Sequence, residues 1–168
     1  MSADRNELHL WPPFRQQFIA ALNELNRHLA KNDRPYRAFM SEGFRTRAYQ
    51  KELWRKGRFT PPIGKQYIVT QRDGYVKRSG HQDSMCGDIA FKVIEVYEFA
   101  NKVHKIGEVH WSPTLEEWEY WGHCLRAQNL DWGGDWRGWT DKPHGEWPPT
   151  DKAAYAEARR WQKDTGLA

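Results

Sequence analysis

From Asp88 to Ile94 the chain alternates, with Ile89, Phe91 and Val93 on one side and Asp88, Ala90 and Lys92 on the other. Side chains two apart share a face of a pleated strand, so the run predicts a strand with one buried face. Such a strand needs paired neighbours and an apolar cover. The first third of the chain supplies the cover. Pro12-Pro13 suits a helix start, and Phe14, Phe18, Leu22, Leu25 and Leu29 follow at spacings of four and three, one apolar helix face that ends at Asn32–Pro35. The fold class these patterns predict is α+β, with helices packed on a small antiparallel sheet.

Other elements follow from turn and cap chemistry. Tyr36–Met40 reads as a short strand and Ser41-Glu42-Gly43 as a turn. Thr46 is placed to cap a helix running to about Lys56, with Tyr49, Leu53 and Trp54 inward and Gly57 stopping it. Gly64 precedes an expected strand, Gln66–Gln71, and Asp73-Gly74 signals a turn. Residues 95–111 fit a helix or a hairpin equally. Thr114-Leu-Glu-Glu117 is a capping-box pattern for a helix to about Gln128, and Gly133-Gly134 opens a Trp-rich loop. Thr150 is the expected cap of a polar last helix ending near Gly166. Residues 1–149 are thus expected to form one domain, with 150–168 a C-terminal helix docked on it.

Composition narrows the class. The longest uninterrupted apolar run is Phe18–Leu22, far below the roughly 18 residues of a spanning helix. The opening MSADRNELHLW lacks the basic-then-apolar layout of a secretory signal, so synthesis in the cytoplasm is the expectation. Ten Trp, seven Tyr and seven Phe argue against disorder. Cys86 and Cys124 form neither a CxxC pair nor a disulfide framework, and both are expected to be reduced. Charge is uneven: residues 31–80 carry 13 basic and 4 acidic side chains, net +9, whereas residues 81–150 carry 6 and 12, net −6. That basic stretch is either a solvated face or a polyanion-binding surface, for nucleic acid or anionic cell wall. Charge alone does not separate the two.

Among seven histidines, His9 and His28 fall in or beside the first helix, and His104, His110 and His123 have no companion at ligand spacing. The segment Ser79-Gly80-His81-Gln-Asp-Ser84-Met-Cys86-Gly87-Asp88 differs. His81 and Asp88 are seven apart, an odd spacing, so a bend must intervene for them to converge. Downstream, Asp141 stands three before His144. Two imidazoles, one carboxylate and a water make a catalytic zinc set, and a further carboxylate suits a general base. The plainer alternative is a His–Asp hydrogen bond and an ordinary loop histidine.

Taken in order, these motifs resemble the zinc D-Ala-D-Ala carboxypeptidase and L-alanyl-D-glutamate endopeptidase family, whose fold is shared with the Hedgehog signalling domain. Ser79-x-His81 with Asp88, then Asp141-x-Pro-His144, carries the likeness. Leu8-His-Leu-Trp-Pro12, Ser41-Glu-Gly-Phe-Arg45-Thr with Gln50 and Leu53, Val69-Thr70, and Leu130-Asp-Trp-Gly-Gly-Asp-Trp136 extend it over roughly residues 7–147. The resemblance implies Zn²⁺ held by His81, Asp88 and His144, with Asp141 as general base and Arg45 facing the scissile carbonyl. Ser79 would bind substrate or orient His81, or would simply satisfy turn backbone. Ser84 and Cys86 stand where the family usually has Gly and Ala; Ser84 threatens strain in the bend, and Cys86 falls on the same side as Asp88. The implied function is hydrolysis of the L-Ala–D-Glu bond of peptidoglycan stem peptides, in the manner of a phage endolysin that reaches the wall after release and works as a monomer. D-Ala-D-Ala carboxypeptidase is the alternative within the family. A non-catalytic wall- or nucleic-acid-binding module is the alternative outside it, and nucleic acid is not an expected partner of the peptidase.

Overall fold

The computed structural model describes residues 3–59, 68–99, 101–111 and 113–167. Among them, four α-helices and seven β-strands build an α+β fold. Helix α1, Pro12–Lys31, starts on the Pro pair and buries Phe14, Phe18, Ala21, Leu22, Leu25 and Leu29 along one face. Strand β1, Tyr36–Glu42, leads to α2, Arg47–Arg55, where the Thr46 hydroxyl accepts from the Tyr49 amide as its cap. Strand β2, Cys86–Val93, is the alternating run, begun two residues earlier than its pattern predicts. Between residues 95 and 111 the described residues form strands rather than a helix: β3, Tyr97–Phe99, and β4, Lys102–His104, pair as a hairpin, and β5, Val109–His110, returns to β2. Helix α3, Leu115–Ala127, carries the complete capping box of Thr114 and Glu117. Strands β6, Asp131–Trp132, and β7, His144–Glu146, precede α4, Lys152–Asp164.

The main sheet has the order β1-β2-β7-β6, every pair antiparallel, with β5 also on β2. Helices α1 and α3 cover one face: the Phe18 and Trp121 rings meet edge-on at 5.5 Å, and both are fully buried. That cover lies very close to the sheet centre. A Cβ on Gly87 would sit 2.7 Å from the Phe18 ring, and one on its cross-strand partner Gly145 would sit 2.7 Å from Leu125. Glycine is therefore required beside Asp88 and His144 on the core side, which leaves those two polar residues for the other face.

Four local expectations are corrected. Ser41-Glu42-Gly43 is not a turn: Ser41 and Glu42 continue β1 through a bulge, and the Ser41 hydroxyl donates to the Asp88 carbonyl at 3.0 Å. The cap of α4 is Asp151 rather than Thr150, because its carboxylate accepts from both the Ala154 amide and the Trp147 indole, each at 3.0 Å. The strand expected over Gln66–Gln71 lies partly outside the described residues, and residues 68–71 form no strand. In α2, Leu53 is buried as expected, but its fully buried partner is Gln50, with Tyr49 and Trp54 only half-buried. The Gln50 amide donates to the Thr70 hydroxyl and the Arg72 carbonyl, so a polar side chain is satisfied inside.

Candidate metal centre

Sheet register brings the first two residues together. β2 pairs β1 on one edge and β7 on the other, which places Asp88 opposite Glu42 on one side and opposite His144 on the other. Directly opposed side chains share a face. His144 Nδ1 lies 2.8 Å from Asp88 Oδ1.

His81 arrives by a bend. A single 3-10 turn, Gly80–Asp83, is followed by Ser84 in the left-handed region at φ 58°. The Ser79 hydroxyl accepts from the His81 amide, and Gln82 returns a bond to the Ser79 amide, so Ser79 is occupied as a cap of this turn. The His81 imidazole is buried, and its Nδ1 lies 2.6 Å from the Gly43 carbonyl. A carbonyl only accepts, so Nδ1 carries a proton, and Nε2 is the ring nitrogen turned toward Asp88, 3.4 Å from Oδ2. The two imidazoles stand 5.1 Å apart between centroids.

The remaining predicted residues surround this trio. Asp141 joins Asp88 and His144 in a group whose donor atoms all lie within 4.8 Å of one another. Gly133 makes that placement possible: a Cβ there would come within 2.3 Å of the Asp141 carbonyl, and the Gly133 carbonyl accepts from the Asp141 amide at 2.9 Å. Arg45 lies nearly buried against Asp88, NH2 to Oδ2 at 3.0 Å, and also pairs with Glu42. Its Nε is a buried donor with no partner among the described residues.

Charges set the proton affinities. Burial alone would raise Asp88, but His81 and His144 override it and hold the carboxyl well below the usual range. For Asp141, burial and then the Asp88 charge both push upward, so it keeps a proton more readily than an ordinary aspartate. Burial opposes a charged His144, yet the Asp88 and Glu146 carboxylates beside it carry it well above the usual histidine value.

Three contacts escape a reading of the sequence. Glu146 Oε2 lies 3.7 Å from His144 Nε2 and accepts from the Cys86 thiol at 3.5 Å. The spacing His144-Gly-Glu146 was the available signal, since alternate strand residues share a face. Glu42, concealed in an expected turn, is the second partner of Arg45. Trp136 lies with its ring 5.0 Å from that of His144 and is partly exposed, an aromatic wall beside the site. Cys86, with His81 and His144, forms a second donor group within 4.8 Å. Among the other histidines, His28 stacks on Tyr120 at 3.7 Å, and His123 is exposed while Cys124 is buried, so that adjacent pair does not converge.

The trio's chemistry fits a zinc ion. Asp88 bridges the two imidazoles, Oδ1 2.8 Å from His144 Nδ1 and Oδ2 3.4 Å from His81 Nε2, and imidazole nitrogens with a carboxylate oxygen are a usual zinc donor set. Nitrogen donors also disfavour Mg²⁺ and Ca²⁺, which take oxygen.

No protein-family model matches the chain. Among solved structures it is similar to the L-Ala D-Glu endopeptidase ChiX of Serratia marcescens, at 21% identity and a TM-score of 0.44, over 79% of this chain and 90% of that one. A likeness of that degree bears on neither chemistry nor substrate. Among the described residues, no helix is long and apolar enough to cross a membrane.

Proposed function

We propose that this chain is a zinc metallopeptidase that hydrolyses the L-Ala–D-Glu bond of bacterial peptidoglycan stem peptides. The observation that carries the reading is the convergence of His81, Asp88 and His144, with Asp141 and Arg45 alongside, from four separate stretches of chain. The substrate class comes from the resemblance of the motifs around these residues to the peptidoglycan peptidases.

His81, Asp88 and His144 would hold the ion. Zinc, when bound, supplies a Lewis acid and lowers the pKa of water. Asp141, whose raised proton affinity suits a group that must both take and return a proton, accepts one from the attacking water and delivers it to the leaving amine nitrogen. Arg45, fixed by its pairs with Glu42 and Asp88, brings a cation to the oxygen on which negative charge grows. Trp136 offers an apolar surface to the peptide. Ser79 orients His81 through its cap. The setting we infer is that of an endolysin, active once the protein reaches the wall.

Purified peptidoglycan digested by the protein, with fragments read by mass spectrometry and one zinc per chain by metal analysis, tests the reading. New D-Glu amino termini and free L-Ala carboxyl ends are expected. Free D-Ala as the sole product would replace the endopeptidase by a carboxypeptidase. Full zinc occupancy in both His81→Ala and His144→Ala would remove the site assignment itself.

A further inference from the structure

The turn that carries His81 is held from outside the sheet. Gln162, buried on α4, donates through one amide nitrogen to the Gln82 carbonyl at 2.9 Å and to the Ser84 hydroxyl at 2.8 Å. One turn earlier on the same helix, Arg159 forks onto Asp83, Nε to Oδ1 at 3.0 Å and NH2 to Oδ2 at 3.1 Å. Asp83 is itself buried, and Arg78 also donates to its Oδ1. Three consecutive residues after His81 are therefore fastened by α4, a helix that contributes no side chain to the site.

Ser84 explains why such a clasp is needed. At φ 58° and ψ 26° it occupies a conformation that glycine adopts freely and other L residues adopt at a cost. A serine there is held only if its surroundings supply compensating bonds, and the Gln162–Ser84 bond is one that glycine could not make. The amide of Ser84 also donates to the His81 carbonyl at 3.3 Å, so relaxation at Ser84 is transmitted directly to the His81 backbone.

We propose that Gln162 and Arg159 are positioning residues of the metal centre, fixing the 80–84 turn so that His81 Nε2 faces Asp88. The proposal rests on the reading of His81 as a metal ligand. It gives the C-terminal helix a role in metal affinity beyond packing, since ligands held in place beforehand bind metal more tightly.

The experiment measures the zinc dissociation constant of the full chain by competition with a chromophoric chelator, alongside the visible spectrum of the Co²⁺-substituted protein. Gln162→Ala should bind zinc about 10- to 100-fold more weakly, the usual effect of removing an outer support of a ligand. Its Co²⁺ bands should shift while its far-ultraviolet circular dichroism stays native. Adding Ser84→Gly should recover much of the affinity, because glycine accepts the bend without the clasp; a purely structural role for Gln162 would show no such rescue. Should Gln162→Ala fail to fold, Arg159→Lys, which keeps the charge but loses the fork, is expected to weaken zinc in the same direction. A folded Gln162→Ala, or in its place Arg159→Lys, with unchanged zinc affinity and Co²⁺ spectrum overturns the clasp and leaves the metal site standing. Failure of the wild-type chain to bind zinc overturns the reading beneath it.

Discussion

Asp141 and Cys86 lie within a few ångströms of the same ligands, and the proposed chemistry assigns them opposite fates. Asp141→Ala removes a carboxyl that takes and returns a proton but holds no metal, so zinc and fold should persist while turnover falls by about 10²–10⁴. Metal analysis alongside kcat checks this; a zinc-free Asp141→Ala protein would make Asp141 a ligand. Cys86 is a donor by position, grouped with His81 and His144. Burial pushes its thiol up to about 12, so at neutral pH it is a protonated neighbour that donates to Glu146. Cys86→Ala should retain zinc and activity, and a metal-depleted variant would put sulfur into the coordination set. Gly80 accommodates that sulfur: a Cβ at Gly80 would lie 2.1 Å from Cys86 Sγ.

At the scale of elements, two helix caps reach further than their own helices. Glu117 closes the capping box of α3 by accepting from the Thr114 amide at 2.8 Å. The same buried carboxylate accepts from the Tyr36 hydroxyl at 2.7 Å and pairs with Arg34 at 2.8 Å, tying α3 to the start of β1. Glu117→Ala strands these partners and should cost about 2–4 kcal/mol, read as a drop in the midpoint of urea unfolding; a loss near that of a simple cap, about 1 kcal/mol, would count against the anchor. Asp151 caps α4, and its carboxyl is held below the usual range chiefly by the Ala154 amide and also by the Trp147 indole. A lowered folded-state pKa contributes stability that is present above the unfolded value and is lost as pH falls through the folded one. Acidification below about pH 4 should therefore loosen α4, and Asp151→Asn should flatten that part of the pH profile of thermal unfolding.

For the molecule as a whole, the uneven charge has a position. Arg47, Arg55 and Lys56 are exposed on or just after α2, the helix that follows Arg45 in the chain. Lys51 lies over the Trp54 ring at 4.2 Å, a cation held against an aromatic face. Anionic wall polymer should be retained by this side. Raising salt should weaken sedimentation of the protein with purified cell wall, because exposed charges are screened over about 10 Å at 0.1 M. Cosedimentation that ignores salt would remove the basic face from wall binding.

Local signals in the sequence determined the elements that carry their own periodicity and caps. Helix α1 with its five-residue apolar face, β2 with its alternation, and the capping box of α3 are written within ten or twenty neighbouring residues. His81, Asp88, Asp141, His144 and Arg45 could be named from their motifs, and the fold places them near one another; their roles are the proposal made above. Tertiary structure alone decided what depends on partners distant in sequence. The bulge that keeps Glu42 in β1 forms because Asp88 lies opposite, 46 residues on. Residues 97–99 and 102–104 pair as a hairpin and 109–110 return to the sheet because β7 covers β2 only over Cys86–Asp88, leaving Phe91 and Lys92 open to β5. Left-handed Ser84 is tolerated because α4 packs against its turn, and nothing near position 84 in sequence announces Gln162. Propensity and capping act through neighbours along the chain, whereas register, burial and clasping bonds exist only after the chain has closed on itself.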